Sequence, residues 1–576
     1  MKNFFKMLLA SILGILIVNV LVFIILLSIV AAIGSDAPVM VKDNSILKIS
    51  INKPLEDRAG IPEIDIINLE IKTNLGLNNI LNGIEQAKYD NRIKGVYLEL
   101  SNIQAGIASV EEIRDALLNF KESGKFILAY AESYSQKAYY LATVADKIYL
   151  NPFGSIDFAG MGSKLTFFKG LLDKLGIDVQ IVRHGKFKSA IEPFTLSKMS
   201  DENREQIKSY IGSIWNYILQ TVSASRDIDI AELNRIADNL ELSMAEDALN
   251  KKFVDKLFYQ DELVAELTKY SGGNSLNIID IDKYYTVPFS LPGKKDKIAV
   301  IYASGEIMTG EGETDIMSKN MIEAIGKARK DSTVKAVVFR VNSPGGAANA
   351  SEFIARELEI TKAKKPVVIS MGNFAASGGY WIATPGDKIF AHHTTLTGSI
   401  GVFGLIPNIE KVMKEKLGIT YDVVMTNEHS DFPSLTRPLK QVEKDYLQRN
   451  VEFVYSKFTS KVAKSRNLSV ERVDSIGQGR VWSGVNAFDL GLIDYFGGIK
   501  EAIQEAAKLA DISDYSILEL PKELSTFEML MKTVETKVSQ SPDNELIRSL
   551  KHYEFLINSI KNFGIVAKLP YMVEIE

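Results

Sequence analysis

The stretch that decides the fold is residues 367–384, VVISMGNFAASGGYWIAT. It begins as an apolar strand, passes through a turn of small residues that holds Ser377 before Gly378 and Gly379, and continues as an apolar helix. A serine at such a turn lies at a helix N-terminus with little steric crowding, where a developing negative charge is stabilised. The pattern therefore predicts that Ser377 is a nucleophile.

A second glycine turn lies about thirty residues upstream, in AVVFRVNSPGG (residues 336–346). A buried-type strand leads there into Ser343 and then Gly345 and Gly346, and such a turn can offer free backbone N–H groups. One turn would carry the attacking oxygen and the other the donors for an oxyanion. The alternative is a pair of ordinary strand-to-helix turns, but two such turns in tandem, each after a buried-type strand, favour the catalytic interpretation.

Composition narrows the class of protein. A chain of 576 residues exceeds one hydrophobic core, so two or more domains are expected. A net charge of −5 without a basic tract gives no reason to expect nucleic acid as a partner. The absence of cysteine excludes disulfides, thiolate metal sites and a cysteine nucleophile. Five histidines without an HExxH arrangement give little support for zinc hydrolysis, and we expect neither a metal nor a cofactor.

The N-terminus departs from this ordinary composition. Residues 7–34 carry no charge and a single amide, Asn19, which is long enough to cross a hydrocarbon core of about 30 Å at about 1.5 Å per residue. The apolar core of a cleaved signal peptide is shorter, so the segment predicts an uncleaved signal anchor. Lys2 and Lys6 place the N-terminus in the cytoplasm and the rest of the chain on the other side of the membrane. The alternative is a buried globular helix.

Strands and helices alternate along most of the chain, which predicts an α/β fold with largely parallel sheets. The pattern occurs twice: YYLATVADKIYLNP (residues 139–152) matches YWIATPGDKIFAHH (residues 380–393), an offset of 241 residues between Tyr139 and Tyr380. The predicted organisation is a transmembrane signal anchor over residues 1–34, a first repeat over 35–290, a second repeat over 291–515 and a tail over 516–576.

The two repeats differ at the chemically important positions. The first has Gln136 where the second has Ser377, and SNIQAG (residues 101–106) where the second has SPGG. Only the first has lysines in the segment IVRHGKFKSAIEPF (residues 181–194), namely Lys186 and Lys188. A serine nucleophile needs a base, and a lysine can serve when burial lowers its pKa towards neutrality. We therefore expect a Ser/Lys pair split between the repeats, although spacing alone does not choose between the two lysines.

Four motifs together resemble the long, two-repeat form of signal peptide peptidase A, also called protease IV: SPGG, MGNFAASGGYW, LTGSIGVFG and GKFKSAIEPF. The likeness runs from the signal anchor to about residue 510. It implies tandem ClpP/crotonase-like domains with helical extensions, assembled as a homotetramer. It also implies a bacterial inner-membrane serine endopeptidase, with its catalytic domains on the periplasmic side, that degrades signal peptides left in the membrane.

The same resemblance implies the roles of individual residues. The serine of AASGGYW is Ser377, the nucleophile, and the lysine of KSAIEPF is Lys188, the general base. The serine of TGSIG is Ser399, which would orient the lysine amine. Gly346 and Gly378 would supply the oxyanion N–H groups.

Two other functions share parts of this pattern. A crotonase-type acyl-CoA enzyme would have the fold and the glycine turns, but it needs neither a membrane anchor nor a serine at this turn. A membrane-anchored scaffold with the same fold but no peptidase activity would need neither Ser377 nor Lys188. We therefore expect apolar peptides and the membrane as the partners of this protein.

Overall fold

A computed structural model describes residues 40–59, 63–65, 70–72, 75–273, 275–286, 295–312, 315–522 and 566–568, together with scattered residues between 6 and 21. The predicted membrane span over residues 7–34 lies mostly outside the described residues, as does most of the predicted tail. Within the described part of the chain, no helix combines the length and the apolar character that crossing a membrane requires.

The first repeat is built on a parallel sheet of six strands in the order β8-β6-β5-β4-β1-β9. Its inner strands are almost entirely apolar and buried, as expected for a parallel sheet covered on both faces. The strands of this repeat are β1 Ser45–Ile49, β2 Glu63–Asp65, β3 Glu70–Lys72, β4 Ile93–Glu99, β5 Phe126–Ala131, β6 Lys147–Leu150, β7 Asp178–His184, β8 Lys256–Leu257 and β9 Asn277–Asp280. The helices are α1 Leu77–Tyr89, α2 Ile107–Lys121, α3 Gln136–Ala142, α4 Lys169–Leu175, α5 Glu192–Thr195, α6 Asp201–Arg226, α7 Ile230–Asp238, α8 Ala245–Asn250, α9 Gln260–Ser271 and α10 Ile281–Tyr284.

The second repeat has a sheet of eight strands, with β19-β17-β15-β13-β10-β21 in sequence and β16 and β20 branching from β15. Only the pairing of β17 with β19 is antiparallel in this described sheet. The strands are β10 Lys297–Ser304, β11 Ile307–Met308, β12 Ile316–Met317, β13 Val334–Ser343, β14 Gly345–Ala347, β15 Val367–Ala376, β16 Lys388–Ala391, β17 Leu396–Gly398, β18 Val402–Asn408, β19 Val481–Ser483, β20 Tyr495–Phe496, β21 Ser516–Leu520 and β22 Val566–Lys568. The helices are α11 Ser318–Lys330, α12 Ala348–Lys362, α13 Gly378–Ala383, α14 Gln441–Arg466, α15 Val470–Ile476, α16 Gly484–Asp489 and α17 Ile499–Leu509.

Equivalent contacts recur in the two repeats. The Tyr139 hydroxyl donates a hydrogen bond to the Phe253 carbonyl, and the Tyr380 hydroxyl donates one to the Leu492 carbonyl. Each repeat also has one helix of 26 residues, α6 in the first and α14 in the second. Strand β21 lies beyond residue 515 yet pairs with β10, so the second sheet continues into the segment that the sequence assigns to the tail.

A third sheet joins the two repeats, in the order β12-β11-β14-β22-β18-β7. Strand β7 of the first repeat runs antiparallel to β18 of the second, with seven residue pairs from Val402 opposite His184 to Asn408 opposite Asp178. Because the chain leaves β7 directly before residues 185–188, this pairing places the lysine segment of the first repeat against the second repeat.

A buried ion-pair network reinforces the contact between the repeats. Arg340, on β13, lies 2.8 Å from an Asp57 oxygen and 2.7 Å from a Glu112 oxygen, both in the first repeat. All three side chains are buried. Removing one partner from such a network leaves an uncompensated buried charge, so the pairing holds the repeats in a fixed relation.

Candidate active site

Ser377 occupies a sharp turn between β15, which ends at Ala376, and α13, which begins at Gly378. Its backbone has φ 56° and ψ −115°, a conformation that non-glycine residues rarely adopt. The Ser377 N–H donates to the Gly398 carbonyl at 2.8 Å, so the neighbouring strand β17 holds this turn in place. Such strain persists only where the surroundings impose it and is typical of functional sites.

Lys188 enters the same buried site from the first repeat. Its amine Nζ lies 2.8 Å from Ser377 Oγ, 3.1 Å from Ser399 Oγ and 3.3 Å from the Ser399 carbonyl oxygen. The lysine and both serines are fully buried. The structure therefore brings together three side chains that lie up to 211 positions apart in the sequence.

Burial lowers the pKa of the Lys188 amine well below its usual 10.5. A neutral amine has two N–H donors and one lone pair. The two donors match the hydroxyl and the carbonyl of Ser399, which leaves the lone pair for the proton of Ser377 Oγ. The site is therefore arranged for a neutral lysine that can accept a proton from the serine.

Ser399 is held in place by the second repeat. It follows β17, its backbone has φ 50°, and its N–H donates to the Arg480 carbonyl at 2.7 Å. The hydroxyl consequently faces the lysine from a fixed backbone. This placement agrees with the orienting role that the sequence resemblance implies.

Lys186 points away from the site. Its side chain is exposed, whereas that of Lys188 is buried. The turn that follows β7 thus separates the two lysines that spacing alone could not distinguish. Four histidines of the described residues contact carboxylates: His184 contacts Glu452, His392 contacts Glu111, Glu112 and Asp115, His393 contacts Glu111, and His429 contacts Glu443.

The two glycine turns lie against each other, as the sequence predicts. A Cβ added at Gly379 would lie 2.7 Å from the carbonyl oxygen of Ser343. A Cβ at Gly346 would lie 2.1 Å from the carbonyl oxygen of Ile307, with which Gly346 pairs. Glycine at position 346 is therefore required by the close approach of two backbones, and Gly378 opens helix α13 directly after the serine.

Comparison with known proteins identifies the family. The sequence profile of Peptidase family S49 matches residues 119–273 and, a second time, residues 359–513. The chain belongs to peptidase family S49. The two matched S49 domains repeat at almost the offset that the internal sequence match predicts, which confirms the resemblance to the two-repeat form.

Full-length relatives agree with this assignment. The chain is 40% identical to Protease 4 of Salmonella typhi over 80% of its length and 76% of that protein. It is 38% identical to Protease 4 of Haemophilus influenzae over 76% of its length and 75% of that protein. A chloroplastic serine protease SPPA of Arabidopsis thaliana is 31% identical over 82% of this chain and 70% of that protein. The protein is accordingly a serine-type peptidase with two tandem S49 domains of mixed α/β structure.

The ClpP/crotonase likeness of these S49 domains stays a prediction. A ClpP1 mutant from Listeria monocytogenes superposes with a TM-score of 0.25 at 14% identity, covering 35% of this chain and 94% of that one. A likeness at this level carries no argument about the fold.

One group of side chains in the described part of the chain has the spacing of a metal site. Single atoms of Glu111, Asp115 and His392 lie within 4.8 Å of one another between the repeats. Glu111 already accepts hydrogen bonds from His393 and from the backbone N–H and the hydroxyl of Thr394. These bonds join helix α2 to the second repeat, and we interpret the cluster as part of that interface.

Several residues around the S49 site were not predicted from the sequence. The turn at Gln478 and Gly479 lies against the lysine segment, and a Cβ at Gly479 (φ 85°) would lie 2.6 Å from the Cβ of Lys188. The Phe187 N–H donates to the Gln478 carbonyl at 3.0 Å, which fixes the lysine segment to this turn. Two glycines flanking a polar residue before a strand were the available signal, because that pattern marks a tight turn.

Proposed function

We propose that this protein is a membrane-anchored serine endopeptidase with a Ser/Lys dyad, and that it degrades signal peptides left in the membrane. Ser377 is the nucleophile, Lys188 the general base and Ser399 the residue that orients the lysine. The observation that carries the proposal is the 2.8 Å separation of Lys188 Nζ and Ser377 Oγ, both fully buried. The burial lowers the pKa of the amine and so favours its neutral form, which is the state that a base requires.

The first half of the reaction forms an acyl-enzyme. Ser377 Oγ attacks the carbonyl carbon of the substrate while its proton passes to Lys188 Nζ. The negative charge that develops on the carbonyl oxygen is stabilised by the N–H groups of Gly346 and Gly378. When the C–N bond breaks, the lysine ammonium gives its proton to the departing amine, and the acyl group remains as an ester on the serine.

The second half uses water in place of the serine. Lys188, neutral again, takes a proton from a water molecule as the water oxygen attacks the ester carbonyl. The same glycine N–H groups stabilise the second oxyanion. Collapse of this intermediate releases the carboxylic acid, and the proton on the lysine returns to Ser377 Oγ.

Pairing in the third sheet supports an extended peptide as the substrate. The short strand β22 runs antiparallel to β14, which contains Gly346, and also pairs with Phe403 of β18. Strand β18 follows Gly401, whose carbonyl oxygen lies 3.4 Å from Ser377 Oγ. The elements on either side of the serine thus accept an extended backbone by strand pairing, which is how many proteases and peptide-binding domains hold their ligands.

The membrane assignment rests on the apolar N-terminal stretch. An enzyme held at the membrane by residues 7–34 meets apolar peptides in two dimensions, which suits signal peptides that remain in the bilayer after cleavage. The proposal places the S49 domains on the periplasmic side of a bacterial inner membrane, assembled as a homotetramer.

The test is cleavage of an internally quenched apolar peptide by the purified full-length protein in detergent. Replacing Lys188 with Met keeps the volume of the side chain and removes the base, and we expect turnover to fall by about two to four orders of magnitude. The matched control is Lys186→Met, which changes an exposed lysine two positions away and should keep turnover within about twofold of the wild type.

Loss of turnover in Lys188→Met with retention in Lys186→Met supports the dyad. Equal turnover in the wild type and Lys188→Met would exclude Lys188 as the base. A folded wild-type protein that cleaves no peptide would instead favour the scaffold without peptidase activity.

A further inference from the structure

Gln206 lies in helix α6 with a side chain that is only 1% exposed, beside the segment that carries Lys188. Its amide nitrogen donates to Ser189 Oγ at 2.8 Å and to the Phe187 carbonyl at 3.1 Å. The same nitrogen lies 3.1 Å from Asn203 Oδ1. One side chain therefore binds the residues immediately before and after the lysine.

The amide oxygen of Gln206 binds the other repeat. It accepts a hydrogen bond from the Val481 N–H at 3.1 Å. Val481 opens β19, and the residue before it, Arg480, accepts the N–H of Ser399 through its carbonyl at 2.7 Å. Strand β19 pairs with β17, whose Gly398 carbonyl holds the Ser377 N–H. The two ends of one amide thus connect the lysine segment with the backbone that carries both serines.

We propose that Gln206 is a positioning residue for the dyad: it fixes the lysine segment of the first repeat on the β17–β19 backbone of the second. This proposal rests on the proposed function. A displacement of about 1 Å between reacting groups can lower a rate by about a hundredfold, so a clamp of this kind has a direct effect on turnover.

A purely structural role for Gln206 makes a different prediction. Ser213, on the same helix, already joins α6 to β19, because its hydroxyl lies 2.7 Å from that of Ser483. The contact between the helix and the strand therefore has a second hydrogen bond that touches no part of the lysine segment. If Gln206 acted only through interface stability, loss of either bond would have similar consequences.

The experiment compares Gln206→Leu with Ser213→Ala in the full-length protein, using the quenched apolar peptide over a range of pH. Leucine has a similar volume but leaves the Phe187 carbonyl and the Val481 N–H without this partner. We expect kcat to fall about tenfold or more while KM stays within about twofold, because the reacting groups move and the peptide-binding strands do not. A loosened segment admits water to the amine, so the acidic limb of the pH profile should also move upwards by about half a unit or more.

Ser213→Ala should reproduce neither the loss of kcat nor the shift of the acidic limb. If Gln206→Leu does not fold, as judged by circular dichroism, Ser189→Ala takes its place and should show the same two changes at a smaller size. In the double variant Gln206→Leu/Ser189→Ala the effects should be less than additive, because both changes break one contact.

Wild-type kcat and an unmoved acidic limb in Gln206→Leu, or in Ser189→Ala where it takes that place, would overturn the proposal. Identical losses in Gln206→Leu and Ser213→Ala would also overturn it, since the effect would then belong to the interface as a whole. Failure of the proposed function would look different from failure of the Gln206 proposal. It would appear as wild-type turnover that does not depend on Ser377, whatever residue stands at position 206.

Discussion

The same strand, turn and helix occur once in each repeat, and only one of the two turns is strained. In the first repeat, Ser135 precedes helix α3 with φ −68°, and its hydroxyl accepts a hydrogen bond from the Ala138 N–H. In the second, Ser377 precedes helix α13 with φ 56°, and its side chain caps nothing. The relaxed turn uses its serine to stabilise a helix, whereas the strained turn leaves the hydroxyl free to face a lysine.

Gln136, which aligns with Ser377, has a different role in the first repeat. Its amide oxygen accepts the Gly160 N–H at 3.0 Å, and its amide nitrogen donates to the Gly160 carbonyl at 3.1 Å. The side chain thus closes a loop of its own repeat. Where the second repeat places a serine hydroxyl beside a lysine, the first has a glutamine whose hydrogen bonds stabilise the fold.

A similar contrast exists one strand away. Arg340 and Glu99 occupy equivalent positions in VVFR and VYLE, segments of the matching buried strands β13 and β4. Arg340 is buried between two carboxylates of the other repeat, whereas Glu99 is 42% exposed in its side chain and pairs with Lys48 of its own sheet. The second repeat therefore carries the residue that joins the repeats, and the first carries a surface ion pair.

The largest expected effect comes from exchanging the aligned pair Ser377 and Gln136 for alanine. Ser377→Ala should lower kcat by about four orders of magnitude or more while the free energy of unfolding changes little, because it removes the nucleophile but no cap. Gln136→Ala should keep kcat and lower the free energy of unfolding by about 1–3 kcal/mol, through loss of its backbone contacts. Peptide turnover and denaturant unfolding are measured for both variants. A Gln136→Ala variant that lost turnover would contradict a purely structural role for Gln136.

The next largest effect is expected on stability, at the buried ion-pair network between the repeats. Arg340→Met leaves Asp57 buried without its cation and leaves Glu112 with His392 alone, and we expect the free energy of unfolding to fall by about 3–5 kcal/mol. Glu99→Gln at the equivalent position should cost about 1 kcal/mol or less, because exposed ion pairs contribute little. Denaturant midpoints of the two variants provide the measurement. Equal shifts would show that the buried network does not hold the repeats together.

A smaller effect is expected at the oxyanion turn. Gly346→Ala would place a Cβ 2.1 Å from the Ile307 carbonyl oxygen, so the turn must move and kcat should fall by about 10²–10³-fold. Gly310→Ala is the control: its φ is also positive, at 102°, but a Cβ there meets nothing within 4 Å. That variant should keep kcat, at a cost of about 1 kcal/mol in folding. Similar turnover in both variants would remove Gly346 from the oxyanion site.

The sequence alone predicted Ser377 and the two glycine turns because small residues after apolar strands leave few structural alternatives. It could not choose between Lys186 and Lys188, since both follow the same strand. That choice depends on how the segment after β7 lies against β18, more than 200 residues later. The family resemblance made the choice, and the burial of Lys188 agrees with it.

Gln206 was unpredictable for a related reason. A glutamine on a long amphipathic helix has the same appearance in the sequence whether it faces water or a buried amide network. Arg340 did carry a signal, since a charge inside the apolar strand AVVFRV requires a buried partner. Its partners Asp57 and Glu112 belong to the other repeat, and local patterns do not report contacts over that distance.

The most direct test of the split Ser/Lys pair is the rate at which a fluorophosphonate labels Ser377 as a function of pH, with the label located by mass spectrometry. A neutral lysine must activate the serine, so the rate should rise as pH increases through a pKa well below 10.5 and then level off. Lys188→Met should remove this rise, and Lys186→Met should preserve it. Labelling of Lys188→Met at the wild-type rate, or a midpoint that stays near 10.5, would contradict the account.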